Sequence, residues 1–397
     1  MTPLVLTHYT ATSCLGPGLA PLVCALRNQR GGLEPCHFES VQLDTCIGEI
    51  RGIEAEVLPT ALQEFNCRNN RLAHLAQRQD GFAEAVAAAI ARVGRQRLGL
   101  FLGTSTSGIL ETELAYRHRD PASGALPADP SYRHTHNAFS VGAFLRQLWH
   151  VDGPTVVVST ACSSGAKVFG SAQRMIAAGL IDAAVVGGVD SLCLTTLYGF
   201  HSLQLTARGP CRPFALDRDG ISIGEAAAFA LLERADARAN SDSIALLGVG
   251  ESNDAHHLSA PHPDGAGARL AMAGALAAAG LEPRRIDYIN LHGTATPSND
   301  RAESRAVLAL LGADTACSST KGATGHALGA AGALEAIICA TAITEGFMPG
   351  GINTTEVDPS LGLCYLTSNR AAQPRFALSN SFGFGGSNCS LVLGHLG

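Results

Sequence analysis

Charge is scarce in this 397-residue chain, only 16% of it, and the positive side is outnumbered: 28 Lys and Arg stand against 34 Asp and Glu, a formal net charge of −6. No global basic field therefore exists to hold nucleic acid or an anionic membrane, and any basic docking patch has to be local. Long polar tracts are missing as well; 46% hydrophobic residues and 44 glycines describe a tightly packed chain without extended linkers. The chain has no Gly-x-x-x-x-Gly-Lys-Ser/Thr motif and no Gly-x-Gly-x-x-Gly between strand and helix, which argues against nucleotide binding. Its twelve cysteines include no Cys-x-x-Cys pair, so neither a zinc ribbon nor a dithiol redox motif is indicated, and a reducing compartment accounts for them as small buried hydrophobes. The start, Met1-Thr2-Pro3-Leu4, lacks the basic and apolar segments of a signal peptide, and no uninterrupted apolar run reaches the roughly 18 residues of a membrane span. A cytoplasmic location is the expectation.

At roughly 100–200 residues per domain, the length allows two or three domains around a large core. Short apolar or β-branched runs alternate with Ala-rich stretches, the pattern of parallel strands joined by crossover helices, so the fold class expected is α/β. Buried strands are predicted at residues 98–103, 155–159, 183–186, 227–232, 244–248, 288–291, 375–378 and 390–393, and helices at 83–93 and 269–279. The polar stretch 233–243 is the one convincing seam, dividing the chain into a first part, 1–240, and a second, 241–397. A faint repeat relates the two. The first has a strand, the turn Ser159-Thr160-Ala161-Cys162-Ser163-Ser164-Gly165-Ala166 and a helix to about residue 178; the second has Ser318-Ser319-Thr320-Lys321-Gly322-Ala323-Thr324-Gly325-His326 and a helix to about residue 344. Pseudo-symmetry between such units brings both helix starts toward one centre.

Three side chains in these turns suit acyl-transfer chemistry. Cys162 is delivered by an apolar strand to the first turn of a helix, where free N–H groups and the helix dipole are expected to favour a thiolate. The plainer reading, a structural cysteine, is weakened by the small Ser-Ser-Gly-Ala neighbours that leave room for a ligand. His292 ends the strand Tyr288-Ile289-Asn290-Leu291 at a sharp exit into a loop. His326 is placed at a helix entry, where the dipole is expected to keep its ring neutral and able to donate to an oxyanion. The pairs His134/His136 and His256/His257 come with no Cys or carboxylate cluster, and no metal site is expected. The segment Asn380-Ser381-Phe382-Gly383-Phe384-Gly385-Gly386-Ser387-Asn388 reads as a Gly-rich loop whose amides approach a ligand and whose phenylalanine can swing as a gate.

Five motifs then occur in a recognisable order: Thr160-Ala161-Cys162-Ser163-Ser164, the run from Pro213 to Ala226, His292-Gly293-Thr294-Ala295-Thr296, Lys321-Gly322-Ala323-Thr324-Gly325-His326, and Asn380 to Asn388. Over nearly its whole length the chain resembles β-ketoacyl-acyl carrier protein synthases of the KAS I/II type. The resemblance implies the thiolase fold, two pseudo-symmetric α-β-α-β-α halves in a five-layered core, and a dimer. It implies an acyltransferase that condenses malonyl-acyl carrier protein, with loss of CO2, onto an acyl group held as a thioester on Cys162. It makes His292 and His326 the pair that stabilises the malonyl thioester oxyanion, and the backbone N–H groups of Cys162 and Phe384 the oxyanion hole for acyl transfer. Lys321 resembles the family lysine that supports the site, Glu335 the glutamate that organises it, and Phe384 the gate. Thr294 and Thr296 are implied to bind the pantetheine arm, and Phe200, Phe382 and Leu110 to line the acyl pocket. No resident cofactor is implied; phosphopantetheine arrives on the carrier protein.

Ala295 and Ala226 stand where the family often has Gly, both small replacements. The stretches Leu247 to Ser252, Asp254 to Pro263, Tyr288 to Pro297 and Cys317 to Lys321 look most like the ketosynthase of bacterial aryl polyene clusters. A homodimer, or a heterodimer with a chain-length-factor-like homologue, is implied. Carrier proteins are acidic, and Arg68 and Arg71 lie where this family often presents a basic rim. The competing readings are a general fatty-acid elongating enzyme, a CoA-dependent thiolase or KAS III-like enzyme, and an inactive chain-length-factor-like subunit. The last is opposed by the retained Cys162, and the thiolase-like one by histidine at both motif positions.

Overall fold

The computed structural model describes residues 1–127, 132–235 and 241–396. Its framework is a mixed sheet of 11 strands. The main ones are β1 (Leu4–Ser13), β2 (Leu98–Gly103), β3 (Thr155–Val158), β4 (Ala183–Asp190), β5 (Ala226–Arg234), β6 (Ile244–Asn253), β7 (Tyr288–Asn290), β8 (Ala316–Ser318), β9 (Phe376–Gly383) and β10 (Ser387–His395), while Gly16–Pro17 folds back on the end of β1. Their spatial order is β8-β7-β9-β10-β6-β1-β5-β4-β2-β3. Outward from the join at β6 and β1, each half places its first, fifth, fourth, second and third strand. The pairing directions repeat too: β2 is parallel to β3 and β4, β7 is parallel to β8 and β9, and the remaining pairs in each half are antiparallel. The faint sequence repeat is therefore a duplication of a whole supersecondary unit. The halves meet through antiparallel pairing of Leu4 with Leu246 and Val5 with Ala245.

Five helices matter for the site: α1 (Phe82–Val93), α2 (Ser164–Ala177), α3 (Ala266–Ala279), α4 (Pro297–Leu311) and α5 (Ala331–Glu345). α2 and α5 pack on each other and on strands of both halves; α1 covers the first half and α3 and α4 the second. Strand period sorts the core accordingly: Ala184 and Val186 of β4 face the central layer, while Ala183, Val185 and Val189 face the outer one. Both faces are covered, which is why these strands read as continuous apolar runs. The stretch Leu328–Glu345 has the length and apolarity of a membrane span, but 89% of it is buried within the protein. It is apolar all round because it is a central core helix.

Glycine lets the two central helices touch backbone to backbone. A Cβ on Gly165 would lie 2.7 Å from the Gly329 carbonyl oxygen, and one on Gly332 would lie 2.8 Å from the Ala166 nitrogen. Two expectations need correction. β1 was not among the predicted strands, because Thr10 and Thr12 break its apolar pattern; both are buried and satisfied locally, Thr10 by donating to Asp80 at 2.7 Å and Thr12 by accepting from the Gly18 N–H. The Gly-rich segment 380–388 is mostly a β-hairpin, with Gly383 paired to Ser387 and only Phe384–Gly386 forming the turn. Of the polar seam at 233–243, residues 236–240 lie outside the described residues.

Candidate active site

Cys162 stands on a strained elbow. Between β3 and α2, Ala161 adopts φ +52, a left-handed conformation that costs an L-residue about 1–2 kcal/mol. Serine side chains lock the bend: Ser164 Oγ accepts from the Thr160 N–H at 2.8 Å and donates to the Ala161 carbonyl at 2.6 Å, and Ser163 Oγ donates to the Thr160 carbonyl at 2.9 Å. The elbow aims the sulfur across the interface between halves, where His326 Nε2 lies 3.1 Å away.

His326 lies two residues ahead of the helical stretch that opens as a 3-10 turn at Leu328–Ala330 and continues as α5 from Ala331, and a four-residue helical turn, Lys321–Thr324, precedes it. Its backbone is clamped to the 222–224 segment, His326 N–H donating to the Ser222 carbonyl at 2.7 Å and its own carbonyl accepting from Gly224 at 3.0 Å. The ring is kept neutral by burial first and by the Lys321 charge second, which together hold it well below the ordinary histidine range. His292, at the end of β7, is depressed likewise by burial, Lys321 and His326. The two rings meet edge to face, centroids 5.3 Å apart at 82°.

Burial works against the expected thiolate: it pushes the Cys162 thiol up to about 11, with Lys321 and the Phe384 N–H pulling the other way. Cys162 precedes the N-cap of α2, Ser163.

Lys321 is buried and shared. Its ammonium donates to the His292 carbonyl at 2.5 Å, approaches His292 Nδ1 at 3.4 Å and pairs with Glu335 of α5. Burial raises the Glu335 carboxyl to about 7 against the pull of Lys321.

A narrow cleft reaches these groups and is lined by Cys162, His292, His326, Thr294, Thr296, Phe200, Phe382 and Phe384 among others. The Thr294 and Thr296 hydroxyls are 2.8 Å apart. Phe200 and Phe384 rings lie 5.6 Å apart, and Phe382 meets His292 edgewise at 5.8 Å. Leu110 does not line the cleft; it sits in the apolar cluster behind Phe200 with Leu197, Ile221 and Ile223. Ala295 sits at φ +64, a conformation glycine adopts freely, which is a physical reason for glycine's frequency at that place in the motif.

The expectation that Arg68 meets a carrier protein fails on burial. It is 1% exposed, pairs with Glu225 at 2.5 Å and with Glu54, and lies 3.6 Å from Glu49. Its charge is used up in holding Glu225, whose carboxylate also accepts from the Ile50 and Leu192 N–H groups at 2.7 and 2.9 Å. Arg71 is half-buried against Asn66 and Glu111.

Sequence reasoning missed the acids that set the geometry. Glu303 of α4 accepts from the His292 and Gly293 N–H groups, each at 2.8 Å, and burial raises its carboxyl to about 7. Asp300, one turn earlier, accepts from the Phe214 N–H at 2.8 Å. The signal was present: acids three apart on a helix face that also carries Ala306 and Val307. Asp190 was signalled by its place at the end of an apolar strand. As for metals, one group of three or more His, Cys and carboxylate donors is found among the described residues. It is Cys162, His292 and His326, with ligand atoms within 4.8 Å of one another; His134, His136, His256 and His257, the histidines weighed as metal ligands from the sequence, do not belong to it.

Two duplicated five-strand units around paired central helices, with the reactive turns of both halves meeting at one cleft, define a thiolase-fold protein. The chain belongs to the β-ketoacyl synthase family: residues 67–238 match its N-terminal domain and residues 244–355 its C-terminal domain. It is 37% identical, with a TM-score of 0.89, to the ketosynthase ApeO solved in complex with its chain length factor ApeC from Xenorhabdus doucetiae, covering 99% of this chain and 98% of that one. The ishigamide ketosynthase/chain length factor is 28% identical with a TM-score of 0.90, covering 100% of both chains. A mitochondrial 3-oxoacyl-[acyl-carrier-protein] synthase of Arabidopsis thaliana is 42% identical over 258 residues, 60% of this chain and 56% of that relative. The matched stretch thus spans less than two thirds of the curated relative's length.

Proposed function

We propose that the protein is an acyltransferase, a β-ketoacyl-acyl carrier protein synthase. The observation that carries this reading is the 3.1 Å contact of Cys162 Sγ with His326 Nε2, beside a second buried imidazole, at the end of a cleft. In the first half-reaction Cys162 attacks an acyl thioester; its proton passes to His326 and from there to the departing sulfur, so that the phosphopantetheine thiol leaves on the carrier protein and the imidazole is again neutral. The N–H groups of Cys162 and Phe384 hold the tetrahedral oxyanion. Malonyl-carrier protein then loses CO2, the electron pair passing into a thioester enolate that His292 and His326 stabilise by donation. The enolate carbon attacks the acyl-enzyme carbonyl and the Cys162 sulfur leaves as a thiolate, which takes a proton from water to restore the thiol. Lys321, paired with Glu335, fixes His292 through its carbonyl, Thr294 and Thr296 bind the pantetheine amides, and Phe384 gates the two half-reactions. In this reading 1–240 is the nucleophile-bearing half and 241–397 the half that stabilises the enolate.

The acyl chain is proposed to be an aryl-capped polyene, on the motifs quoted above. The partner is proposed to be a chain-length-factor-like homologue, supported by the 37% likeness to a ketosynthase solved with its chain length factor. The sheet ends at β3, whose outer edge is unpaired among the described residues and whose Val156 is 38% exposed, with Phe139 40% exposed at the start of the helix Ser140–Leu148 packed beside it; an edge of this kind calls for a covering chain. With Arg68 buried, the exposed Arg208 and Arg301, close in sequence to cleft-lining Leu205 and Asn299, are the cations proposed to meet an acidic carrier. The setting is proposed to be cytoplasmic. The 42% likeness to an Arabidopsis thaliana 3-oxoacyl-[acyl-carrier-protein] synthase favours fatty-acid elongation as the second reading. Intact-mass analysis of carrier protein incubated with malonyl donor and with aryl or alkyl primers separates the two. Condensation with neither primer, or product formation undiminished in Cys162→Ala, defeats the proposal.

A further inference from the structure

We propose that Cys162, His292 and His326 together form a reversible inhibitory site for a zinc-class divalent cation. The three donor atoms lie within 4.8 Å of one another and all three residues are buried, at the end of a cleft that gives a small ion access and leaves a fourth position for water. One thiolate and two imidazoles are a preferred donor set for Zn(II), whose bonds of about 2.3 Å to sulfur and 2.0–2.1 Å to nitrogen set tetrahedral ligand separations of roughly 3.3–3.7 Å. The Cys162–His326 contact, 3.1 Å, is already close to that, and the longest separation closes by about an ångström through side-chain rotation. The strongest objection is the Lys321 ammonium, 3.4 Å from His292 Nδ1; its pairing with Glu335 offsets part of that charge.

Binding replaces the thiol proton: the S–H bond breaks, the proton passes to water and the sulfur lone pair binds the metal, with no redox change. The ion occupies the lone pair that would otherwise attack a thioester, so metal binding and acyl-enzyme formation exclude each other. This inference does not depend on the substrate.

Co(II) added alone to the purified, chelator-treated chain tests it. One equivalent is expected to give a sulfur-to-cobalt charge-transfer band with intense tetrahedral visible bands. Both are lost in Cys162→Ser and in His326→Ala, kept in His256→Ala, and displaced by Zn(II). Zn(II) at ten times its dissociation constant is expected to slow iodoacetamide labelling of Cys162, read by peptide mass, about tenfold, with reversal by EDTA. A cobalt spectrum that survives in Cys162→Ser, or labelling of Cys162 unaffected by saturating Zn(II), overturns the proposal. Loss of the spectrum in His256→Ala overturns it too, by moving the metal to the surface loop. Failure of the carrier-protein condensation would leave these results unchanged, so the two readings fail separately.

Discussion

Asp190 and Gly329 face each other across the two halves, the carboxylate of the β4 terminus accepting the Gly329 N–H at 2.5 Å. The same carboxylate accepts from the Ser105 and Thr106 N–H groups, both at 2.8 Å, and from the Thr104 hydroxyl at 2.7 Å. Ser105 Oγ in turn donates to the Ala161 carbonyl at 3.4 Å, immediately before Cys162. One buried anion therefore ties the sulfur's elbow to the turn that follows His326. It does so at some cost, since burial raises its own pKa despite these donors.

Asp190→Asn tests that tie. An amide in this place turns an NH2 group toward donors, leaving at least one buried N–H unpaired, a loss of about 1–3 kcal/mol and more where the acceptor was charged. A drop of this size in urea-unfolding free energy is expected, with condensation falling further than stability because the sulfur–imidazole distance is no longer fixed. Unchanged stability and unchanged turnover would show that the carboxylate charge is not needed.

The Cys162 thiol should titrate high. Its ordinary value of 9.0 is raised by burial to about 11, so below that value each unit of pH removed costs a factor of about ten in thiolate. Alkylation of Cys162 by iodoacetamide, with chelator present, should climb nearly tenfold per unit from pH 7 to pH 9 without levelling off. A plateau near neutrality would mean that the start of α2 sets the charge on sulfur after all.

Gly165→Ala should separate the central helices. The new methyl would lie 2.7 Å from the Gly329 oxygen and 2.9 Å from the Ala333 nitrogen, and backbone cannot yield as a side-chain tip can. Overpacking of this sort costs about 1–3 kcal/mol. Thermal unfolding should fall, and Cys162 alkylation should change rate as His326 moves away; neither change would show that the helices have slack.

Most strands with unbroken apolar runs, such as Leu98–Gly103, were legible because burial on both faces writes itself directly into composition. β1 was not, since Thr10 and Thr12 are buried polar residues whose partners, Asp80 and Gly18, lie outside the strand. In the site, the positions of Cys162, His292 and His326 could be read from their turns, and so could the neutrality of His326, but not its cause, nor the direction in which the Cys162 thiol is shifted. Desolvation and the Lys321 field arise only when both halves close. Arg68 shows the same limit, because a surface-like Arg in the run Cys67-Arg68-Asn69-Asn70-Arg71 became a buried counter-ion through Glu225, 157 residues away.

His326→Ala should split the two half-reactions. The imidazole is the group in contact with the sulfur and, with His292, the donor placed for the malonyl oxyanion. Without it the thiol proton can still leave to hydroxide, so acylation of Cys162 persists at a lower rate and increases with pH, while the enolate loses one of its two donors. A positioned donor or proton acceptor is worth about 10²–10⁴ in rate, and malonyl-carrier decarboxylation should fall within that range. Cys162→Ala should do the reverse, abolishing condensation while some decarboxylation remains, because neither imidazole depends on sulfur for its position: His292 is held by Glu303 and Lys321, and His326 by Ser222 and Gly224. Intact-mass detection of the acyl-enzyme alongside CO2 release measures both arms, and undiminished CO2 release from His326→Ala would remove that histidine from the chemistry.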